Sequence, residues 1–301
     1  MNYKDYIVNC INKHSQKYKL IPSKYGHYFL DPIPTNKELN DFYQDNYFND
    51  NDVTASRGMD IGSEDIKERY HYDRTYEELI NNIQQHINKK NIYDSFVLDI
   101  GCGLGNCLKH LKNIGFKNLF GTEWDASLNI SGVEIFNGDF LDFDSSLKFD
   151  VILVNNVLEH VINPEIFIAK VWSLLKNNGI LRVQVPNDIS FIQYKLLQIN
   201  EKAFTFFCPP EHIQYFDFTS LHNFLEQNGF NVYKTTTTFP MEFFVLMGMD
   251  YTKDCFLGKQ CHKKRISFEY NASEPLLSSL YDKLAEIDLG RCVIKYSMKV
   301  I

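Results

Sequence analysis

At 301 residues the chain can hold one large α/β domain or a domain with a substantial insertion, and its 44% apolar and 23% charged residues are ordinary for a globular protein. A net charge of −7 argues against non-specific nucleic-acid binding. No apolar run approaches the ~20 residues of a membrane helix, the first residues lack a signal-peptide core, and the cysteines form no C-x-x-C pair, so no membrane span, zinc ribbon or disulfide framework is expected.

Taken in chain order, residues 1–95 are polar and rich in Tyr, Asn and Lys. They include an extended stretch at 25–34 interrupted by prolines, then a helical pattern over 64–87 carrying Tyr70, Tyr72, Arg74 and Leu79. The apolar content here is too scattered for a core of its own, so this part reads as a lid or leader. From 96 onward strand and helix patterns alternate, which implies parallel strands with helices on both faces. The expected strands are 96–100, 118–122, 133–136, 151–155 and 180–185. A helix over 106–114 ends at Gly115, and another over 164–176 has Asn163 to cap it and Pro164 in its first turn. A helix at 219–227 leads to a β-branched strand at 230–238, and a last strand spans 291–300. Residues 241–290 are too long for a hairpin turn and read as an inserted helical cap. The expected organisation is therefore a lid at 1–95, a core at 96–240, a cap at 241–290 and a final core strand at 291–301. As a fold class this is an α/β, Rossmann-like, seven-stranded mixed sheet with helices on both faces.

In an open parallel sheet, ligands bind at the carboxyl ends of the strands near the topological switch point. After the first strand comes Asp99-Ile-Gly-Cys-Gly-Leu-Gly105, in which Gly101, Cys102, Gly103 and Gly105 make a tight turn. Asn106 stands where a dinucleotide fingerprint wants its third glycine, and there is no Lys-Ser/Thr pair for a P-loop. An acidic residue facing a glycine turn suits a ligand with an ammonium group better than one with a pyrophosphate. Glu123, 18 positions beyond Gly105, can accept both hydroxyls of a ribose, and Trp124 follows it. Asp139 and Phe140 come after the third strand, with Asp139 able to accept from an adenine amino group; Asn155 comes after the fourth. Acidic or amide residues at four successive strand ends outline a site for a nucleoside with a positively charged tail.

These residues carry a resemblance. Val97-Leu-Asp-Ile-Gly-Cys-Gly-Leu-Gly105, Gly121-Thr-Glu123, Gly138-Asp139, Phe149-Asp-Val-Ile-Leu-Val-Asn-Asn-Val-Leu-Glu-His160, Leu175-Lys-Asn-Asn-Gly-Ile-Leu181 and Pro210-Glu-His-Ile-Gln-Tyr-Phe216 occur in that order. The chain thereby resembles the class I, Rossmann-like S-adenosylmethionine-dependent methyltransferases, in the branch with the ubiquinone O-methyltransferases and bacterial sugar methyltransferases. The resemblance implies that Asp99 and the glycine loop hold the methionine end of the cofactor, Glu123 the ribose, Asp139 the adenine edge, and Trp124 a packing place on the adenine. S-adenosylhomocysteine would be the product, and no metal is expected.

If the acceptor is a hydroxyl, a base must take its proton, and histidine is the natural choice at neutral pH. His160 and His212 are the candidates. Toward the acceptor, Arg265 and Arg291 can bind a phosphate through their guanidinium forks. Tyr194, Phe204, Phe206, Phe207, Tyr215 and Phe216 crowd the same side, able to stack on a sugar or to pack beneath the cap. Related proteins often carry an N-terminal cysteine-pair zinc element; only Cys10 stands here. The reading is O-methylation of a nucleotide- or phosphate-linked sugar in bacterial surface polysaccharide or capsule synthesis. It assumes a cytoplasmic protein with a small-molecule acceptor, no nucleic-acid or membrane partner, and a homodimer by base rate. A quinone, lipid or aromatic acceptor is the alternative, and a non-catalytic cofactor-binding subunit a second one.

Overall fold

The computed structural model describes residues 2–46, 66–87, 90–124, 128–201 and 206–300. The chain divides into two compact units, one of residues 58–184, 224–234 and 295–301, the other of residues 1–57, 185–223 and 235–294. This division differs from the boundaries expected at 95, 240 and 290.

The first unit is built on β3 (Phe96–Ile100), β4 (Asn118–Glu123), β5 (Glu134–Asn137), β6 (Phe149–Asn155) and the start of β7 (Leu175–Pro186). The full mixed sheet has seven strands in the order β5-β4-β3-β6-β7-β10-β9, with β9 at Phe230–Thr237 and β10 at Cys292–Lys299. The five strands from β5 to β7 pair in parallel. Val97, Leu98 and Val151 to Val154 are buried because helices cover both faces, which is why these strands read as unbroken apolar runs. Helix α4 (Asn106–Asn113) packs Cys107, Leu108 and Leu111 inward, and α5 (Pro164–Leu174) packs Phe167, Ile168, Val171 and Leu174. Asn163 occupies the N-cap of α5, but its side chain makes no capping bond. The chain leaves β3 toward β4 and β5, then returns to β6 on the other side of β3. The switch point therefore lies between the carboxyl ends of β3 and β6. Helix α3 (Ile66–His86) also belongs to this unit; Glu64, the expected helix region's first residue, and the side chain of Tyr72 fall outside what is described.

The second unit has a smaller sheet of β1 (Lys19–Pro22), β2 (Tyr28–Asp31) and β8 (Gln214–Tyr215). Helix α1 (Tyr3–His14) buries Ile7, Val8, Cys10 and Ile11, and these join Leu20, Leu30, Ile189, Leu197, Phe206 and Tyr215 in one core cluster. The N-terminal residues thus complete their core with residues from beyond 185, a pairing that no local pattern announces. Helix α6 (Phe191–Ile199) belongs here, as do α8 (Glu242–Leu246), α9 (Cys255–Ala272) and α10 (Leu276–Glu286) in the expected cap region. Asp254 caps α9 by accepting from the backbone N–H groups of Phe256 and Leu257 at 2.8 and 3.3 Å. No helix among the described residues is long and apolar enough to cross a membrane.

Candidate active site

The carboxyl ends of β3, β4 and β6 converge on the glycine turn. Asp99 is not at the strand's edge but inside it, opposite Gly121 and Leu153, and only 3% exposed. Burial pushes its carboxyl up to about 7; the nearby Arg182 guanidinium lowers it and Glu123 raises it. Arg182 directs its N–H groups at neutral acceptors: Tyr296 Oη at 3.2 Å, Gln184 Oε1 at 2.9 Å, and Asn155 Oδ1. Among the described residues no guanidinium bond is made to Asp99, and a cation beside it would favour its charged form.

Gly101 has φ +64°, and a Cβ there would stand 2.5 Å from Val157 Cγ2, so the turn requires glycine. Cys102 donates its backbone N–H to Thr122 O at 3.0 Å, tying the turn to β4. Glu123 braces the same loop: its carboxylate accepts from the N–H of Gly103 at 2.6 Å and of Trp124 at 2.8 Å. A carboxylate with about four lone-pair sites still has capacity for a diol after two such bonds. Gly105 sits in the left-handed conformation at the N-cap of α4, where no side chain caps the helix.

The other predicted cofactor residues have settled local roles. Asp139 accepts from the Leu141 N–H at 2.8 Å and starts a short 3₁₀ turn over Phe140–Asp142. Phe140 is buried against Phe143 and Phe167, and the amide oxygen of Asn155 is held by Arg182. Trp124 is 69% exposed, so its indole is not packed. His160 ends a 3₁₀ turn over Leu158–His160, with Nε2 3.8 Å from Glu159 Oε1, a carboxylate that is itself buried.

In the second unit His212 Nδ1 stands 3.5 Å from Asp188 Oδ2, and Asp188 is 2% exposed. Tyr215 is a correction to the expected acceptor-stacking ring. It is 1% exposed, set in the N-terminal core and against Phe207, so neither face is offered to a ligand. Burial and the carboxylate of Asp188 push its phenol far up, fixing it as a neutral hydroxyl. Phe206 and Phe216 are likewise core residues, Phe207 and Tyr194 are half-buried, and Phe204 lies outside the described residues. Arg291 donates to Glu242 Oε1 at 2.5 Å, and that carboxylate, with Asp188 behind it, holds the guanidinium well above its ordinary value. Arg265 lies in α9 with Nη2 3.0 Å from His262 Nδ1. Both arginines are thus engaged within the chain.

Residues 69–235 match the family model described as a methyltransferase domain, more than half of the chain. The chain belongs to the methyltransferase-domain family. Its curated relatives include the ubiquinone biosynthesis O-methyltransferase of Bradyrhizobium diazoefficiens, 27% identical over 30% of this chain and 40% of that enzyme. Another is the Glaesserella parasuis enzyme of the same name, 32% identical over 34% and 50%. The chain thus spans half or less of the length of either of these relatives. Among solved structures it is similar to a SAM-dependent methyltransferase from Archaeoglobus fulgidus (TM-score 0.46, 16% identity, 76% of this chain and 94% of that one).

Methyltransferases of this class bind S-adenosylmethionine, and the residues present fit that group. The buried carboxyl of Asp99 has no guanidinium bond among the described residues and suits an ammonium; the turn at Gly101 leaves no room for a side chain; Glu123 has acceptor capacity for a ribose. When bound, the sulfonium supplies an electrophilic methyl group. Two residues of the candidate site escaped the sequence reading. Asp188 follows β7 in Pro186-Asn-Asp188, and extending the strand-end rule to the fifth strand would have found it. Arg182 is the one charge in the apolar run 180–185 and is buried there, which is a signal of a buried network.

Proposed function

We propose that the protein transfers the methyl group of S-adenosylmethionine to a hydroxyl of a small polar acceptor, a nucleotide- or phosphate-linked sugar of surface polysaccharide synthesis. One observation carries the donor half: the buried Asp99 and the glycine loop braced by Glu123 stand together at the carboxyl ends of β3 and β4. For the acceptor half, His212 is the base. Asp188 at Nδ1 favours the proton on that nitrogen and puts the lone pair on Nε2, where a hydroxyl proton can be received. With S-adenosylmethionine bound, the methyl would pass to the acceptor oxygen as its bond to sulfur breaks and S-adenosylhomocysteine leaves, and the hydroxyl proton would pass to His212 Nε2. Such base catalysis is worth roughly 10²–10⁴-fold. His160, beside Glu159, is the second histidine available for an acceptor-side role.

Two of the four curated relatives are named ubiquinone biosynthesis O-methyltransferases, which supports a second reading. On that reading the acceptor is a phenolic ring. Calorimetric titration of S-adenosylmethionine, with NAD as the control ligand, tests the donor assignment. Binding near one site per chain is expected, weakened at least tenfold in Glu123→Ala; binding of NAD alone would sink it. Turnover assays with nucleotide sugars and with a catechol then separate the two acceptor classes.

A further inference from the structure

Three residues on neighbouring parallel strands share one row of the sheet. Asp99 on β3 stands opposite Leu153 on β6, and Leu153 stands opposite Arg182 on β7. Aligned residues point to the same face, so the two ionisable side chains rise from one face, their backbones roughly 10 Å apart at two strand spacings. Both are buried, with the apolar Leu153 between them. The next row on that face pairs Asn155 with Gln184. Arg182 donates to the side-chain oxygens of both, and its Nε–H donates to Tyr296 Oη on β10 at 3.2 Å. The same guanidinium thereby holds the turn that leaves β6. Gln184 accepts the backbone N–H of Asn156 at 2.8 Å with its carbonyl and donates its amide to Asn156 Oδ1 at 3.3 Å. Asn156 is in the left-handed region at φ +53°. Val157, the next residue, packs on the glycine turn, its Cγ2 2.5 Å from where a Cβ on Gly101 would stand.

Charge follows the same path. Facing Asp99 are Arg182 and, from β4, Glu123, with the thiols of Cys102 in the glycine turn and Cys107 on α4. Burial pushes both thiols up, so they stay neutral. Glu78 on α3 faces Arg182 and Tyr296, and its carboxylate is paired with Lys234 Nζ at 3.0 Å. The phenol of Tyr296 is likewise pushed up by burial and stays neutral. Arg182 is therefore the group that opposes burial and Glu123 at Asp99.

We infer that Arg182 is a positioning residue for the methyl donor: it fixes the turn at 155–157 and, across one face of the sheet, favours the carboxylate of Asp99, without touching the ligand. The inference rests on the assignment of Asp99 to the donor's ammonium and adds the group that keeps that carboxyl ready. A protonated Asp99 must give up its proton before it can pair with an ammonium. Affinity for the donor therefore falls by up to tenfold per pH unit below the carboxyl's value of about 7. Above about pH 8 the ammonium itself deprotonates, an alkaline limb that belongs to the ligand and is common to every variant. Charges roughly 10 Å apart at an effective dielectric constant of about 20 move a carboxyl by about one pH unit.

The test is calorimetric titration of the intact protein, from about pH 5.5 to 8.5, with S-adenosylhomocysteine, which keeps the ammonium and lacks the labile sulfonium. Wild type should lose affinity on the acid side with a midpoint near 7. Arg182→Met keeps the apolar stem and removes the charge. Its acid limb should move up by about one pH unit, making its weakening relative to wild type about fivefold or more greater at pH 6 than at pH 8.5. Arg182→Gln removes the same charge with a side chain that can still donate to one of the three acceptors. It decides the matter if Arg182→Met does not fold, folding being checked by the thermal midpoint at each pH. A loss of equal size at pH 6 and pH 8.5 in the folded neutral variant, or no loss, overturns the inference and leaves Arg182 a structural residue. A wild-type affinity that is flat from pH 5.5 to 7 would overturn the Asp99 assignment and the inference with it. Failure of the methyltransferase reading would register separately, as no binding of S-adenosylmethionine at any pH.

Discussion

A carboxyl buried inside an apolar strand sets a sign that can be measured. Asp99 has a folded-state value of about 7 against 3.8 as its ordinary one, so between these the native state holds the proton more tightly than the unfolded chain does. Stability therefore falls as pH rises through that window and levels off above it, the reverse of an ion-paired aspartate. At about 1.4 kcal/mol per unit, the wild type should lose on the order of 2.5 kcal/mol between pH 5 and pH 8 relative to Asp99→Asn, which has no proton to lose. Urea midpoints of the two proteins at pH 5, 6, 7 and 8 would show a gap that widens in favour of Asp99→Asn and then flattens. A constant gap would mean that the carboxyl is not buried in the unliganded protein. The same geometry serves function, because an ammonium placed beside Asp99 relieves the cost.

At the scale of elements, the junction of β9 with β10 turns on Gly290. Its φ is +146°, and a Cβ there would lie 2.6 Å from the Cβ of Thr237, whose hydroxyl is fixed by donation to Cys292 O at 2.5 Å. Neither the branched carbon nor the hydroxyl can swing aside. Gly290→Ala should lower unfolding stability by about 2–4 kcal/mol, combining the conformational cost with overpacking. Gly248 has φ +88° but open space around it, so Gly248→Ala should cost only about 1 kcal/mol. Chemical denaturation of both variants checks the contrast, and equal losses would refute the packing argument. Elements of the sheet were legible because buried parallel strands are apolar throughout and helices between them end at glycines. The sequence-based bounds at 118–122 and 133–136 missed only strand ends, and the strand at 175–186 starts earlier than its apolar run because Leu175 pairs directly with Phe149. Less legible was what α1 packs on, since Ile7 and Ile11 meet Ile189 and Leu197 from a distant part of the chain. In the candidate site the strand-end rule led to Asp99, Glu123 and Asp139, whereas Arg182, a charge inside a buried strand, lies outside that rule. Tyr215 looked available only because aromatic content cannot say which ring faces a core.

For the whole molecule, the residues assigned to the two ligands fall in different compact units. Asp99, Gly101, Glu123, Asp139 and Asn155, proposed for the donor, belong to residues 58–184, while Asp188 and His212, proposed for the acceptor's proton, belong to the other unit. Damage to the proton-receiving pair should leave cofactor affinity intact, because a general base acts on the acceptor's proton and not on the binding of the donor. Asp188→Asn removes the charge that orients His212 and keeps the shape; it should lower kcat by roughly 10²-fold or more, and His212→Gln by roughly 10²–10⁴-fold. In both variants the S-adenosylmethionine Kd should stay within about twofold of wild type, well under the tenfold that 1.4 kcal/mol represents. Turnover is read as S-adenosylhomocysteine formed with the acceptor found by screening, and affinity by calorimetry. A structural role for Asp188 would instead lower the thermal midpoint while sparing kcat in the folded fraction. If His212→Gln turns over at the wild-type rate, the acceptor needs no base in this unit, and His160 with Glu159 becomes the pair to test.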